Sequence, residues 1–297
     1  MPNNEPFLVL GLGEILWDVL PEGKQLGGAP ANFAYHAAAL GARGVTVSAV
    51  GDDPEGREIL ATLDARGLDT SYIHVDRAHP TGTVTVTVDG SGVPAYTIHE
   101  GVAWDYIPFT DAALALARRA NAICFGSLAS RNPHSRETIR RLLDAAVPGC
   151  IRVFDVNLRQ HYYSEEVILA LLDRAEVLKL NEDELPAISD LLRIPGSTRE
   201  RLNAMMDRFA LDLIVLTRGG QGSILAAPGE FEEHPGTPVE KLADTVGAGD
   251  SFTAMAVMGL LRGWPLGVIS ERANRLAAHV CAHPGAMAPH PAGIGVR

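Results

Sequence analysis

The sequence predicts an α/β protein: a mainly parallel sheet covered by helices on both faces, with a small β-sheet lid at one edge. Three observations lead there. Short, almost wholly apolar runs recur along the 297 residues, as in strands buried on both faces. Helix-like stretches separate them, the rhythm of βαβ units. One segment breaks that rhythm with strict two-residue alternation, which a parallel core does not readily accommodate.

Taken in order, Phe7 to Leu12 is an apolar run bounded by glycine. Ala31 to Leu40 is helical, with Pro30 at a first helical position and Gly41 as the stop. Val45 to Val50 reads as a strand, and Asp53-Pro54 opens a helix that runs to about Arg66 and ends at Gly67. Ala122 to Phe125, Ile151 to Phe154, Val177 to Leu180 and Leu213 to Leu216 are buried strands, each followed by helical sequence. Thr83-Val84-Thr85-Val86-Thr87-Val88 alternates polar with apolar, and Asp89-Gly90-Ser91-Gly92 supplies a turn, so Thr81 to Ile98 is a β-hairpin. Ile15 to Leu26 offers a further short strand or two. These pieces, near 15–28 and 81–99, are expected to form the lid of a single domain spanning 1–297.

Apolar residues make up 46% and charged residues 21%, the balance of a packed chain rather than a disordered one. A formal charge of −11 argues against a nucleic-acid partner, which needs a basic stripe. No apolar run approaches the ~18 residues of a spanning helix, and Met1 to Pro6 lacks the basic start of a secretory signal. Cys124, Cys150 and Cys281 are odd in number and widely spaced, as buried thiols of a reducing compartment are. A cytoplasmic protein with no membrane partner is expected.

The sharpest chemical feature is Asp244-Thr245-Val246-Gly247-Ala248-Gly249-Asp250-Ser251-Phe252, leading into the helix-forming run Phe252 to Leu261. A glycine-rich turn that opens a helix gathers free N–H groups and the positive dipole end at one point, where an anion is favoured. Asp250 beside that nest can accept a hydroxyl proton while the nest steadies charge on a transferring phosphoryl group. Alone, the same segment is also an ordinary helix start.

Four other segments join it. Gly27-Gly28-Ala29-Pro30-Ala31-Asn32 follows Asp18, which stands ten residues before Gly28. A carboxylate and an amide suit polyol recognition because one accepts hydrogen bonds while the other accepts and donates. Glycine lets a ligand approach the backbone closely. Asp155-Val156-Asn157-Leu158-Arg159 lies just past an apolar run, and carboxyl ends of strands are where open α/β sheets bind ligands. A surface ion pair with Glu165 or Glu166 is the alternative for Arg159. Asn181-Glu182-Asp183-Glu184 puts Asn181 and Glu184 on one face of a helix beginning there, or simply places acids at a helix start. Thr217-Arg218-Gly219-Gly220-Gln221-Gly222 follows the last buried run.

These five motifs, in the family's order along the chain between Phe7 and about Pro291, resemble the PfkB-type (ribokinase-like) family of sugar kinases. The resemblance implies a three-layer α/β/α fold with a β-lid and an ATP-dependent carbohydrate kinase activity. It makes Asp250 the catalytic base, with the N–H groups of Gly247, Ala248 and Gly249 on the phosphoryl charge. It sets Asp18, Gly28, Asn32 and Arg159 on the sugar. On the nucleotide side it sets Asn157, Asn181, Thr217, Gly219, Gly222 and Asn274, with Pro284-Gly285-Ala286 closing that end of the pattern. Glu184 would organise the water shell of magnesium, an ion that keeps several waters and takes few carboxylates. Asp244, with carbonyls near Gly285, offers a place for potassium. Lids in this family often pair, so a homodimer through the lid is expected.

Gly28-Ala29-Pro30-Ala31-Asn32 and Gly126-Ser127-Leu128-Ala129 are similar to bacterial fructokinases. Ribokinases tend to carry Lys-Gly in place of Ala29-Pro30 and a glutamate near Ala129. Arg159 is the one obvious cation for a substrate phosphate, which favours a free sugar, fructose phosphorylated at O6. Kinases for 2-keto-3-deoxygluconate, ribose, another ketose or a nucleoside stay open, as does a non-catalytic sugar-responsive regulator. Other chemistries fit poorly. Gly11-Leu12-Gly13 would need a third glycine where Leu16 stands, and Gly23-Lys24 is followed by Gln25, so neither a dinucleotide fingerprint nor a P-loop forms. His279 and His283 share a helix face from which Cys281 points away, against a zinc site. A nucleophile elbow is lacking.

Overall fold

The computed structural model describes residues 5–20, 23–88, 94–291 and 293–294. Inside a nine-stranded sheet, third from one edge, lies β1 (Leu8–Leu12), flanked in parallel by β4 (Arg43–Gly51) and β8 (Ala122–Gly126). Beyond β4 comes β5 (Ile73–Asp76), also parallel. Beyond β8 come β9 (Ile151–Asp155), β10 (Val177–Asn181) and β11 (Leu213–Thr217), parallel throughout. The expected strands are all present.

One expectation fails at the far edge. Leu213 to Leu216 is not followed by helical sequence. A single 3-10 turn, Gly219–Gln221, returns the chain as β12 (Ser223–Ala227), and β13 (Glu230–His234) completes an antiparallel edge. The linking segment is too short for a parallel crossover, and Gly219 (φ 53°) and Gly222 (φ 86°) reverse its direction.

Both faces of the sheet's inner strands are dry, which explains why those strands read as continuous apolar runs. Val9, Cys124, Val153, Val177 and Val215 pack against α1 (Ala29–Ala39), α8 (Ala248–Leu261) and α9 (Leu266–Cys281). Their neighbours Leu8, Leu10, Phe125, Phe154 and Leu178 pack on the opposite side. There they meet α3 (Asp111–Ala117), α4 (Pro133–Asp144), α5 (Glu165–Leu172), α6 (Glu184–Leu191) and α7 (Thr198–Phe209). Near the β4–β5 edge, α2 (Pro54–Ala65) buries Ile59 and Leu63, and its cap Asp53 accepts from the Gly56 N–H at 2.7 Å. No described helix is long and apolar enough to cross a membrane. Cys124, Cys150 and Cys281 are free thiols, the first two buried.

The two pieces expected to form the lid combine in one four-stranded sheet. β3 (Gly23–Gly27) pairs with β2 (Leu16–Leu20), β2 runs parallel to β6 (Gly82–Val88), and β6 pairs with β7 (Pro94–Ile98). The turn read at Asp89 to Gly92 lies outside the described residues. Asp18 stands opposite Val84, and Val84 opposite Ile98, so the three share one face. Val84 and Ile98 join the main core cluster, which turns that face inward.

Sheet order reverses at β1 and β8: from β1 the chain proceeds to β4 and β5, then returns to β8 and builds away. Such a switch point leaves a crevice at the carboxyl ends of the strands. Onto that rim the strands deliver Glu14, Ser127, Asn157, Asn181 and Thr217.

Candidate active site

The helix read as starting at Phe252 starts four residues earlier, at Ala248. Gly247 adopts a left-handed conformation (φ 77°) as its cap, and a side chain there would run into the backbone of Ala286. Asp250 therefore belongs to the first helical turn, where the dipole favours a carboxylate. The glycines masked this, because two in three positions lower helix propensity. The Ala248 N–H reaches Thr245 O at 3.3 Å, a long bond that leaves this donor weakly engaged.

Asp250 is half-buried, and its Oδ2 accepts from Asn32 Nδ2 at 2.8 Å, joining α8 to α1. Burial, and then the charge of Asp155, push its carboxyl up to about 6; Lys179, the Asn32 hydrogen bond and Arg159 pull the other way. A carboxylate poised there accepts a proton efficiently near neutral pH.

Asp18 lies on the inward face of the small sheet; burial raises its carboxyl and Arg159 opposes the rise. Gly28 (φ 117°) packs against Glu14 O and Ile15 Cα, a spacing that excludes a side chain. Asn32 is buried, and its Oδ1 has no partner among the described residues. Arg159 is exposed and donates to Leu158 O at 3.0 Å; Glu165, offered as its ion-pair partner, lies instead 3.8 Å from Arg193. Asn157 takes a left-handed conformation (φ 40°) and lines a small cavity with Pro30, Ser127 and Asp155.

Glu14, outside the site residues the sequence suggests, lines that cavity too. It is 3% exposed, and its Oε2 is without a partner among the described residues. Burial raises its carboxyl to about 7, Arg159 lowers it, and Asp250 and Asp155 add to the rise. Its signal in the sequence is position: Glu14 follows Gly13 just past the carboxyl end of β1. Lys179 was passed over as well, hidden inside an apolar run; it is buried and pairs with Asp155 at 2.9 Å.

On the other side of the rim, Asn181 and Glu184 form a reciprocal clasp. Asn181 Oδ1 accepts from the N–H groups of Asp183 and Glu184, both at 2.9 Å. The Glu184 carboxylate accepts from the Asn181 and Leu158 N–H groups, each at 2.8 Å. Glu184 is buried, its carboxyl raised by that burial and held back by Lys179. With both oxygens already engaged, it suits a metal reached through water better than direct ligation.

Thr217 ends β11, and Gly219 and Gly222 shape the turn to β12. A side chain on Gly222 would collide with His234 O. Asn274 is not on a helix surface: it is buried, and its Nδ2 donates to Ser223 Oγ and Ser270 O at 2.8 Å each, tying α9 to β12. Asp244 accepts from Val246 N–H at 2.9 Å and Gly285 N–H at 2.8 Å, stapling the glycine turn to the segment after α9. His283 lies past the end of α9 rather than on it, its Nδ1 2.8 Å from His279 O.

Residues 21–293 match the model of the pfkB family of carbohydrate kinases. The chain is similar to the fructokinase of Salmonella typhimurium, 32% identical over 283 residues that cover 91% of this chain and 90% of the relative. An ATP-bound structure of an uncharacterized sugar kinase from Pyrococcus horikoshii superposes with a TM-score of 0.79 at 27% identity, covering 94% of each chain. A fructokinase from Vibrio cholerae, solved with fructose, ADP and potassium ion, gives 0.80 at 25% identity over 97% of this chain and 96% of that one. By that match, and by likeness of fold along nearly its whole length, this chain is a member of the PfkB family of carbohydrate kinases.

Proposed function

We propose that this sugar kinase transfers the γ-phosphoryl group of ATP to the 6-hydroxyl of free fructose. The observation that carries the reading is Asp250 in the first turn of α8, bonded to Asn32 and sharing its surroundings with Glu14, Asp155 and Arg159. Asp250 accepts the hydroxyl proton as the phosphoryl group arrives. The N–H groups of Gly247, Ala248 and Gly249, with the helix dipole behind them, hold the charge that develops. Asp18, the Gly28 backbone, Asn32 and Arg159 orient the sugar; the unpartnered Asn32 Oδ1 is a ready acceptor for a hydroxyl.

The nucleotide lies along Asn157, Asn181, Thr217, Gly219 and Gly222, with Asn274 holding the β12 end of that turn from behind. Glu184 and Asn181 arrange the waters of a magnesium ion, which neutralises phosphate charge when bound. Asp244 supports a potassium ion through the stapled backbone near Gly285. The small sheet acts as a lid that excludes water from the transferring group. Val19, exposed on the outer face of that sheet, supports a homodimer through the lid, and sedimentation of only monomer at micromolar concentration would remove it. We read the whole as one domain working in the cytoplasm.

Fructose is favoured by the likeness to fructokinases and by the scarcity of cations beside Asp18. Arg159 is there, whereas Lys179 is spent on Asp155 and Arg131 on Asp105. A substrate phosphate would need more. An ADP-release assay across fructose, ribose, 2-keto-3-deoxygluconate and nucleosides, with the product's phosphate placed by NMR, tests the assignment. Release greatest with another sugar reassigns the substrate. Sugar binding without ADP release in any case points to a regulator.

A further inference from the structure

A buried ion pair lies beneath the α8 turn and has no part in the roles above. Lys179 on β10 is 6% exposed, and its Nζ donates to Asp155 Oδ1 at 2.9 Å. Asp155 ends β9, is 4% exposed, and its Oδ2 lies 3.3 Å from Thr253 Oγ1 in the second turn of α8, a hydroxyl whose proton is shared with Gly249 O at 2.9 Å. The same Nζ lies 3.1 Å from where a side chain on Gly249 would begin, so the ammonium rests against the turn itself. Two strand ends and a helix start are thereby fastened at one point.

A buried ion pair is weak evidence for stability, since apolar residues of similar volume serve about as well. Its location is the informative part. We infer that Lys179 and Asp155 are a positioning pair for phosphoryl transfer: Lys179 sets the charge state of Asp250, and Asp155 holds Lys179 and Thr253 in register beneath the turn. The inference rests on the reading of Asp250 as proton acceptor.

The groups that face Asp250 come from five places. Asn32 approaches from α1, Glu14 from the β1–β2 connection, Asp155 from β9, Arg159 from the segment after β9, and Lys179 from β10. Glu184 faces Lys179 from α6. Glu14, Asp155 and Asp250 thus crowd three carboxyls around two cations, and Arg159 is exposed, where water and salt screen it. Lys179 is the buried cation. Without it, Asp250 loses its buried counter-charge and its titration moves upward. Without the Asp155 charge, Lys179 acts on Asp250 unopposed and the titration moves downward. Loosened packing alone would not give opposite signs.

The test compares Lys179→Met, Asp155→Asn and Lys179→Arg in the full chain. One readout is the acid limb of kcat/KM for fructose. The other needs no turnover: carbon-13 NMR titration of aspartate carboxyls in the sugar-free protein, with Asp250→Asn identifying the resonance. Expected are an upward move of roughly one pH unit or more in Lys179→Met, a downward move in Asp155→Asn, and near wild-type behaviour in Lys179→Arg. Moves of the same sign in the first two, or none, overturn the inference. If Lys179→Met fails to fold, the downward move in Asp155→Asn decides alone. Should the NMR titrations move as expected while the wild type phosphorylates no sugar, the coupling of Lys179 and Asp155 to Asp250 stands, and the proton-acceptor reading falls together with the pair's part in phosphoryl transfer.

Discussion

Asn32 Nδ2 donates to Asp250 Oδ2 at 2.8 Å, tying residues 218 positions apart into one unit at the start of two helices. The bond favours the charged carboxylate that burial disfavours. Asn32→Ala removes it, so the Asp250 carboxyl should rise further above about 6. Because activity needs the deprotonated form, kcat/KM should fall more at pH 6 than at pH 8.5. An equal loss at both values would confine Asn32 to sugar binding.

Glu14 carries the same physics, with no partner on Oε2 among the described residues. Its carboxyl is raised from 4.5 to about 7, so the folded state binds more protons than the unfolded chain between those values. Stability contributed at this site therefore declines as pH rises through that window and stays low above it. Glu14→Gln should raise the melting temperature at pH 8, by an amount worth up to roughly 3 kcal/mol, and leave it nearly unchanged at pH 4.5. Thermal melts at the two pH values check this; a gain confined to the acid side would contradict it.

Glu184 separates shape from charge. Glu184→Ala strands the Leu158 and Asn181 N–H groups and should cost about 1–3 kcal/mol of stability. Glu184→Gln keeps one acceptor but turns an NH2 toward the other N–H group, so it should lose less stability than Glu184→Ala and need several-fold more magnesium for half-maximal rate. Unchanged magnesium dependence would remove Glu184 from the metal's surroundings.

Gly222 has φ 86° and faces His234 O, so a methyl group meets both backbone strain and a collision. Gly222→Ala should lose more than about 2 kcal/mol and raise the KM for ATP while leaving the sugar KM close to wild type. Comparable increases in both would place the turn elsewhere than on the nucleotide side.

Much of this architecture is legible in the sequence because burial on both faces leaves a plain trace. Val177 to Leu180 is apolar except for Lys179, and Asp53-Pro54 and Gly67 bracket α2 almost to the residue. The antiparallel return into β12 was not legible, since Gly219 to Gly222 fits a loop before a helix as well as a tight reversal. The early start of α8 hid behind Gly247 and Gly249, whose low helix propensity outweighed the cap geometry. At the site, residues with a spacing pattern, such as Asn181 and Glu184, could be picked out. Glu14, Lys179 and Asp155 owe their interest to burial and to each other, and separations of 24 residues or more along the chain leave no local pattern.

Asp250 is the point on which the account turns, and its conservative removal is the most direct measurement. Fructose-dependent ADP release by Asp250→Asn should fall by about 10²–10⁴-fold in kcat, while calorimetry shows fructose binding within a few-fold of wild type. Turnover close to the wild-type rate in that variant would contradict the assignment of Asp250 as the group that takes the proton.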